Sequence, residues 1–178
     1  MSRTACKEVF KFNELSDKAK EKAREWARSI DDLYAWGQEN SDSLKGFAEH
    51  FNLSKLDWDI TLWGNSRATG KVPEELESLQ GVRLWKWLQN SGKLRGDLLA
   101  GNSPFTGYVF DENLLDPIRA FIKKPNVSTT YQGLIDDCLS EWVKAYISDW
   151  EYAYSDEGID DFLIANEYEF EKNGKRYI

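Results

Sequence analysis

The sequence predicts an α+β fold: one domain over residues 1–178, with a small, mostly antiparallel sheet and about six helices packed on it. Three observations carry this expectation. Short stretches of period-two alternation (5–12, 55–63 and the terminal EYEFEKNGKRYI) stand among longer stretches with apolar residues three and four apart. The strand-like stretches show no regular βαβ rhythm, which argues against a parallel sheet. No repeat, low-complexity tract or linker divides the 178 residues, a length ordinary for one domain.

The elements follow in order. In ACKEVFKF (5–12), Cys6, Phe10 and Phe12 share one face of a short strand. Asn13 and Ser16 offer acceptors for the start of a helix over 16–29, with Leu15, Ala19, Ala23, Trp26 and Ile30 near one face. A second helix over 41–51 is marked by Leu44, Phe47, Ala48 and Phe51. KLDWDITLW (55–63) alternates Leu56, Trp58, Ile60 and Leu62 with Asp57, Asp59, Thr61 and Trp63, the pattern of a half-buried strand. GNSRATG (64–70) reads as a loop by composition. Pro73 and the glutamates after it suit a helix start, and that helix runs to about Asn90 with a weak point at Gly81.

Residues 91–109, glycine-rich with Pro104, read as a long irregular segment, the kind that often carries function. The next helix, 111–123, has Leu114, Leu115, Ile118 and Ile122 as its stripe, and Pro117 moves its expected start to near Asp116. The longest helix, 129–153, carries a band from Tyr131 through Leu134, Ile135, Cys138, Trp142, Ala145 and Tyr146 to Trp150. Ser155 caps a last helix, 156–165, with Ile159, Phe162 and Leu163 inward. Asn173-Gly174 predicts a hairpin between 167–171 and 175–178. Trp58, Ile60, Leu62, Leu134, Trp142 and Phe162 are the expected core.

Composition narrows the function classes. Eight Trp, eight Tyr and nine Phe exclude a disordered chain. No apolar run approaches the ~20 residues of a membrane span, and the N-terminus lacks the apolar stretch of a signal peptide. With only Cys6 and Cys138, far apart, a disulfide framework is not expected, and the reading is a protein of the cytoplasm with reduced thiols. Net charge is −8, unevenly spread: residues 1–95 are near neutral, whereas 131–171 hold 12 Asp/Glu and the single lysine Lys144. Such a balance opposes direct nucleic-acid binding and suits a basic partner; no membrane contact is expected.

Three stretches, FKFNELSDKAKEKAREW (10–26), SPFTGYVFDENLLDPIRAFIKKP (103–125) and YQGLIDDCLSEWVKAYISDWEYAYSDEGIDDFLIANEYEFEKNGKRY (131–177), resemble a family of uncharacterised bacteriophage and prophage accessory proteins. The resemblance covers about half the chain and implies a phage protein acting in the bacterial host cytoplasm. It supplies no mechanism and no site residues.

Chemistry-bearing residues are sparse. His50 is the only histidine, sits at a helix end, and is read as non-catalytic. Cys6, His50 and Cys138 lack zinc-site spacing, so neither metal nor other cofactor is expected. Asp57 and Asp59 share a strand face, where they form either a polar surface or an acid/base or divalent-metal pair. GNSRATGK (64–71) and GNSPFTGY (101–108) are glycine-rich without a phosphate-loop pattern. Trp85 and Trp87, two apart on a helix, point different ways, so one is expected to be exposed or to lie at a secondary contact.

The strongest signal is acidic. Asp136, Asp137, Glu141, Asp149, Glu151, Asp156, Glu157, Asp160 and Asp161 fall on two successive helices. The pairs Asp137/Glu141 and Asp156/Asp160 lie four apart, a repulsive arrangement. A surface retaining that cost can imitate duplex DNA, with one charge per roughly 1.7 Å of axis. The expected function is a non-enzymatic DNA mimic that binds and inhibits a basic host protein or nucleic-acid-handling complex, such as an anti-phage defence system. The alternative is an enzyme using carboxylates or a divalent metal. Reversing Asp136, Asp137, Asp160 and Asp161 to Lys is expected to weaken binding and leave the fold intact.

Overall fold

The computed structural model describes residues 8–31, 33–61, 64–94, 96–101 and 103–177, with the side chains of 96 and 97 left out. Cys6, Leu62 and Trp63 therefore lie outside the described residues, as do residues 5–7 of the strand expected at 5–12, of which Phe10–Lys11 forms a strand. Six α-helices and four strands are formed by the described residues: β1 (Phe10–Lys11), α1 (Asp17–Arg28), α2 (Gly37–His50), β2 (Ser54–Asp59), β3 (Arg67–Lys71), α3 (Gly81–Asn90), α4 (Phe110–Lys123), α5 (Tyr131–Tyr154), α6 (Asp156–Ala165) and β4 (Glu169–Phe170). The fold is α+β. Its strands pair antiparallel and are divided between two two-stranded sheets, β1–β4 and β2–β3. Contacts group the chain into two compact units, one of Met1–Ala35 with Asp149–Ile178 and one of Trp36–Ser148.

In the first unit, α1 presents Ala19, Ala23 and Ala27, a stripe of small residues that lets neighbouring elements approach closely. Phe12, Leu15, Leu33, Ile159, Leu163 and Phe170 complete this core. Phe162, expected inside, is partly buried and packs at its edge against Tyr168. Ser155 caps α6 as predicted, its Oγ accepting from Gly158 N at 3.1 Å. The expected terminal hairpin is present with shortened strands: Gly174 N donates to Glu171 O, Glu171 N to Lys175 O, and Phe170 bridges Arg176. Gly174 takes φ +82°, and a Cβ there would lie 2.0 Å from the Ala19 carbonyl, so only glycine closes this turn against α1.

In the second unit, the predicted α2 stripe of Leu44, Phe47, Ala48 and Phe51 is buried. It shares a core region with Leu84 and Leu88 of α3, Phe110, Leu114, Leu115, Ile118 and Phe121 of α4, and Tyr131 to Val143 of α5. Leu134 and Trp142 are buried as expected, and Trp142 Nε1 donates to Asn40 O at 3.0 Å. Trp58 and Ile60 are partly buried against this core, because a two-stranded sheet covers its inner face only in part.

Three expectations are corrected here. Residues 67–71 form a strand, since Ala68 and Gly70 face inward between exposed Arg67, Thr69 and Lys71. The helix expected from Pro73 is broken: a 3₁₀ turn at Glu74–Leu76 precedes α3, and Gly81 begins α3 at φ +54° with Val127 O where a Cβ would sit. Helix α4 begins at Phe110 and carries Pro117 inside it. The missing bond to the Asn113 carbonyl costs ~3 kcal/mol, and burial of Phe110, Leu114, Leu115 and Ile118, at ~1.5–3 kcal/mol each, outweighs it.

Candidate interaction surface

The nine carboxylates of α5 and α6 are divided between the two compact units. Asp136, Asp137 and Glu141 belong to Trp36–Ser148, and the other six to the unit containing α1 and α6.

On α6, Asp156 and Asp160 face the basic side of α1. Arg24 grips Asp160 as a fork, Nε to Oδ1 and Nη2 to Oδ2, both at 2.7 Å. Arg28 donates to Asp156, which also lies 3.7 Å from Arg24. The hydrogen bonding that Arg24 donates to Asp160 is the largest cause raising the Arg24 pKa above its ordinary value. The four-residue spacing thus does place two carboxylates on one face, and two guanidiniums offset the repulsion. Asp161 accepts from the Tyr152 hydroxyl at 2.6 Å, which pushes the phenol's pKa up, and Asp149 accepts from Tyr34 at 2.8 Å. Glu151 and Glu157 are exposed, with no hydrogen-bond or ion-pair partner among the described residues.

On α5, Asp136 Oδ1 accepts from Gln132 Nε2 at 2.8 Å. Gln132 in turn donates to Gly70 O (2.8 Å) and accepts from Val72 N (3.0 Å), satisfying backbone groups at the end of β3 as a neighbouring strand would. Glu141 pairs with Lys144 at 2.6 Å. Asp137 is exposed and has no such partner among the described residues. With Glu141 it borders an open groove of about 550 Å³ between α4 and α5, floored by Pro117, Phe121 and Leu134.

Within the segment 91–109, expected to be irregular, residues 103–107 are held by side chains of the following helix. Asp111 is fully buried, and its carboxylate accepts from Phe105 N and Thr106 N (both 2.8 Å), Gly107 N (3.3 Å) and Thr106 Oγ1 (3.1 Å). Glu112 accepts from Ser103 N at 2.7 Å and from Arg119 at 2.5 Å, and Arg119 also donates to Leu98 O. The Arg119 guanidinium, ahead of the Ser103 bonds, holds the Glu112 carboxyl below the usual range. The sequence reading missed these three residues, although two acids opening a helix just after a glycine-rich stretch are a signal that they gather its free N–H groups.

The remaining candidates take structural places. His50 Nε2 lies 2.7 Å from Lys93 O, and Lys93 Nζ donates to His50 O, a clasp at the end of α2. Asp57 and Asp59 are exposed, with Arg67 3.6 Å from Asp57. Among the described residues, no group of three His, Cys, Asp or Glu side chains is placed to hold a metal ion. Trp85 and Trp87 are both partly buried, so neither is exposed and both make contacts at the edge of the core: Trp85 Nε1 donates to Ile122 O and Trp87 packs on Tyr131. Cys138 is buried, and burial pushes its thiol well above the ordinary range. No helix among the described residues is long and apolar enough to cross a membrane. No protein-family model, curated protein or solved structure matches this chain.

Proposed function

We propose that this protein is a non-catalytic binder: a phage accessory protein of the bacterial cytoplasm whose carboxylates occupy a basic surface on a host protein or nucleic-acid-handling complex, in place of nucleic acid. One observation carries the reading. Asp137, Glu151 and Glu157 are exposed without ion-pair partners among the described residues, in a stretch, 131–171, that holds a single lysine. Unpaired exposed charge raises the rate at which an oppositely charged surface is found. The phage setting rests on the resemblance of residues 10–26, 103–125 and 131–177.

The geometry selects which carboxylates test it. Reversing Asp160 would set a lysine against Arg24 and Arg28, and reversing Asp136 would remove the acceptor that orients Gln132. The fourfold reversal considered from sequence would therefore disturb the fold. The informative variant is Asp137→Lys, Glu151→Lys, Glu157→Lys. With a partner captured from host lysate by tagged protein, this variant should associate about ten-fold more slowly than the parent at low salt, with unchanged melting. Equal association rates for the two proteins, together with no dependence on salt, would sink the reading. A melting temperature raised by magnesium or calcium would favour the carboxylate-enzyme alternative.

A further inference from the structure

A column of aromatic rings runs from the core of the Trp36–Ser148 unit to its surface. Trp142, fully buried, meets Tyr146 edge-on at 5.5 Å, and Tyr146 meets Phe110 at 6.2 Å. Phe110 stacks on Tyr108 at 5.5 Å with planes 2° apart, and Tyr108 stacks on Trp36 at 5.3 Å and 21°. The column ends at Trp36, which remains 49% exposed. Its support is stiff: Asp111 pins the backbone at 105–107, and Glu112 pins Ser103, which holds a φ of +44°. A rigid indole left half in water is an anchor of low entropic cost for a partner.

Three observations identify what extends the stack. The chain's net charge of −8 repels phosphate backbones and attracts cations. Glu39, three residues beyond Trp36 on the first turn of α2, has a buried Oε2 without a hydrogen-bond partner among the described residues. A carboxylate oxygen buried without a partner favours a hydrogen-bond donor nearby. The protein also builds the same contact internally: the Arg176 guanidinium lies 5.4 Å from the Trp26 ring and 4.5 Å from the Tyr168 ring. A guanidinium is planar, permanently charged and weakly hydrated, so it stacks on an indole where an ammonium does so less well. We propose that Trp36 is the anchoring ring for an arginine side chain presented by the basic protein partner. This deepens the proposed function and rests on it for the basic character of that partner.

The test compares fluorescein-labelled nona-arginine, nona-lysine and oligothymidine at one ionic strength, by anisotropy, against the full chain and its Trp36→Ala and Trp36→Phe variants. Arginine gains over lysine at any carboxylate, so the decisive quantity is the arginine-to-lysine affinity ratio. Trp36→Ala should lower that ratio about three-fold or more, weakening nona-lysine binding less than nona-arginine binding. Trp36→Phe, which keeps a ring, should retain most of the ratio. If both peptides bind the full chain and Trp36→Ala leaves the ratio alone, the stacking proposal falls while the acidic-binder reading stands. If neither peptide binds, both fall. Oligothymidine binding that Trp36→Ala abolishes would make Trp36 a base platform and overturn the arginine assignment.

Discussion

At the residue scale, the most constrained side chains are acids that hold the chain's own backbone. Asp111 has no exposed surface, yet four donors converge on its carboxylate, which is how a buried charge is tolerated. Its neighbour Glu112 provides a pH readout. Arg119 depresses its folded-state pKa, so Glu112 contributes stability that is fully present above the ordinary glutamate value of about 4.3 and is lost as pH falls through the lower folded value. Thermal melts between pH 6 and 3 should show Glu112→Gln less stable than the parent at pH 6, with the gap closing on acidification. A constant gap down to pH 3 would remove Glu112 from the acid-labile groups.

At the element scale, the contact between α1 and α6 is as much ionic as apolar. Ala23 and Ala27 bring the helices close, and the Arg24–Asp160 fork sets their register. Both partners are mostly buried, with side-chain exposures of 20% and 28%, so solvent screens the pair less than a surface bridge. Arg24→Ala should cost about 2 kcal/mol, the range for hydrogen bonds to charged groups. Asp160→Lys should cost more, because it adds repulsion to the loss. A double-mutant cycle in urea isolates the pair; a coupling energy indistinguishable from zero would show that the alanine stripe alone sets the contact. The element scale also explains Gln132, whose amide supplies β3 with bonds a third strand would otherwise make.

Across the whole molecule, two apolar cores carry the stability, and their keystones differ in size. The α1–α6 core is closed by alanines and Phe170, whereas the larger one centres on Trp142, which has no exposed surface and a satisfied indole N–H. Trp142→Ala should cost about 3–5 kcal/mol, a large part of the roughly 5–15 kcal/mol that holds an ordinary domain together. Trp58→Ala should cost less than that, since Trp58 is only partly buried. Urea melts of the two variants decide the order, and a Trp58 variant as unstable as the Trp142 variant would contradict it. Charge is also a whole-molecule property: Arg24 and Arg28 offset Asp156 and Asp160 locally, which leaves the exposed carboxylates elsewhere to set long-range attraction.

Local periodicity by itself determined most of the secondary structure. The apolar stripes of α2, α5 and α6, the Ser155 cap and the Asn173-Gly174 turn are properties of short windows of sequence, so they were legible without a partner in view. The acidity of residues 131–171 was legible for the same reason, being a sum over residues. What depends on a distant residue was not. Residues 67–71 became a strand through pairing with β2, Pro117 was absorbed because the α4 stripe buries more than the proline costs, and the strands split between two sheets. Which carboxylates remain free was likewise decided in three dimensions: Asp160 is claimed by a guanidinium 136 residues away, while Asp137 is not. Sequence spacing places charges on a face of a helix, but only packing determines whether that face meets an arginine or water.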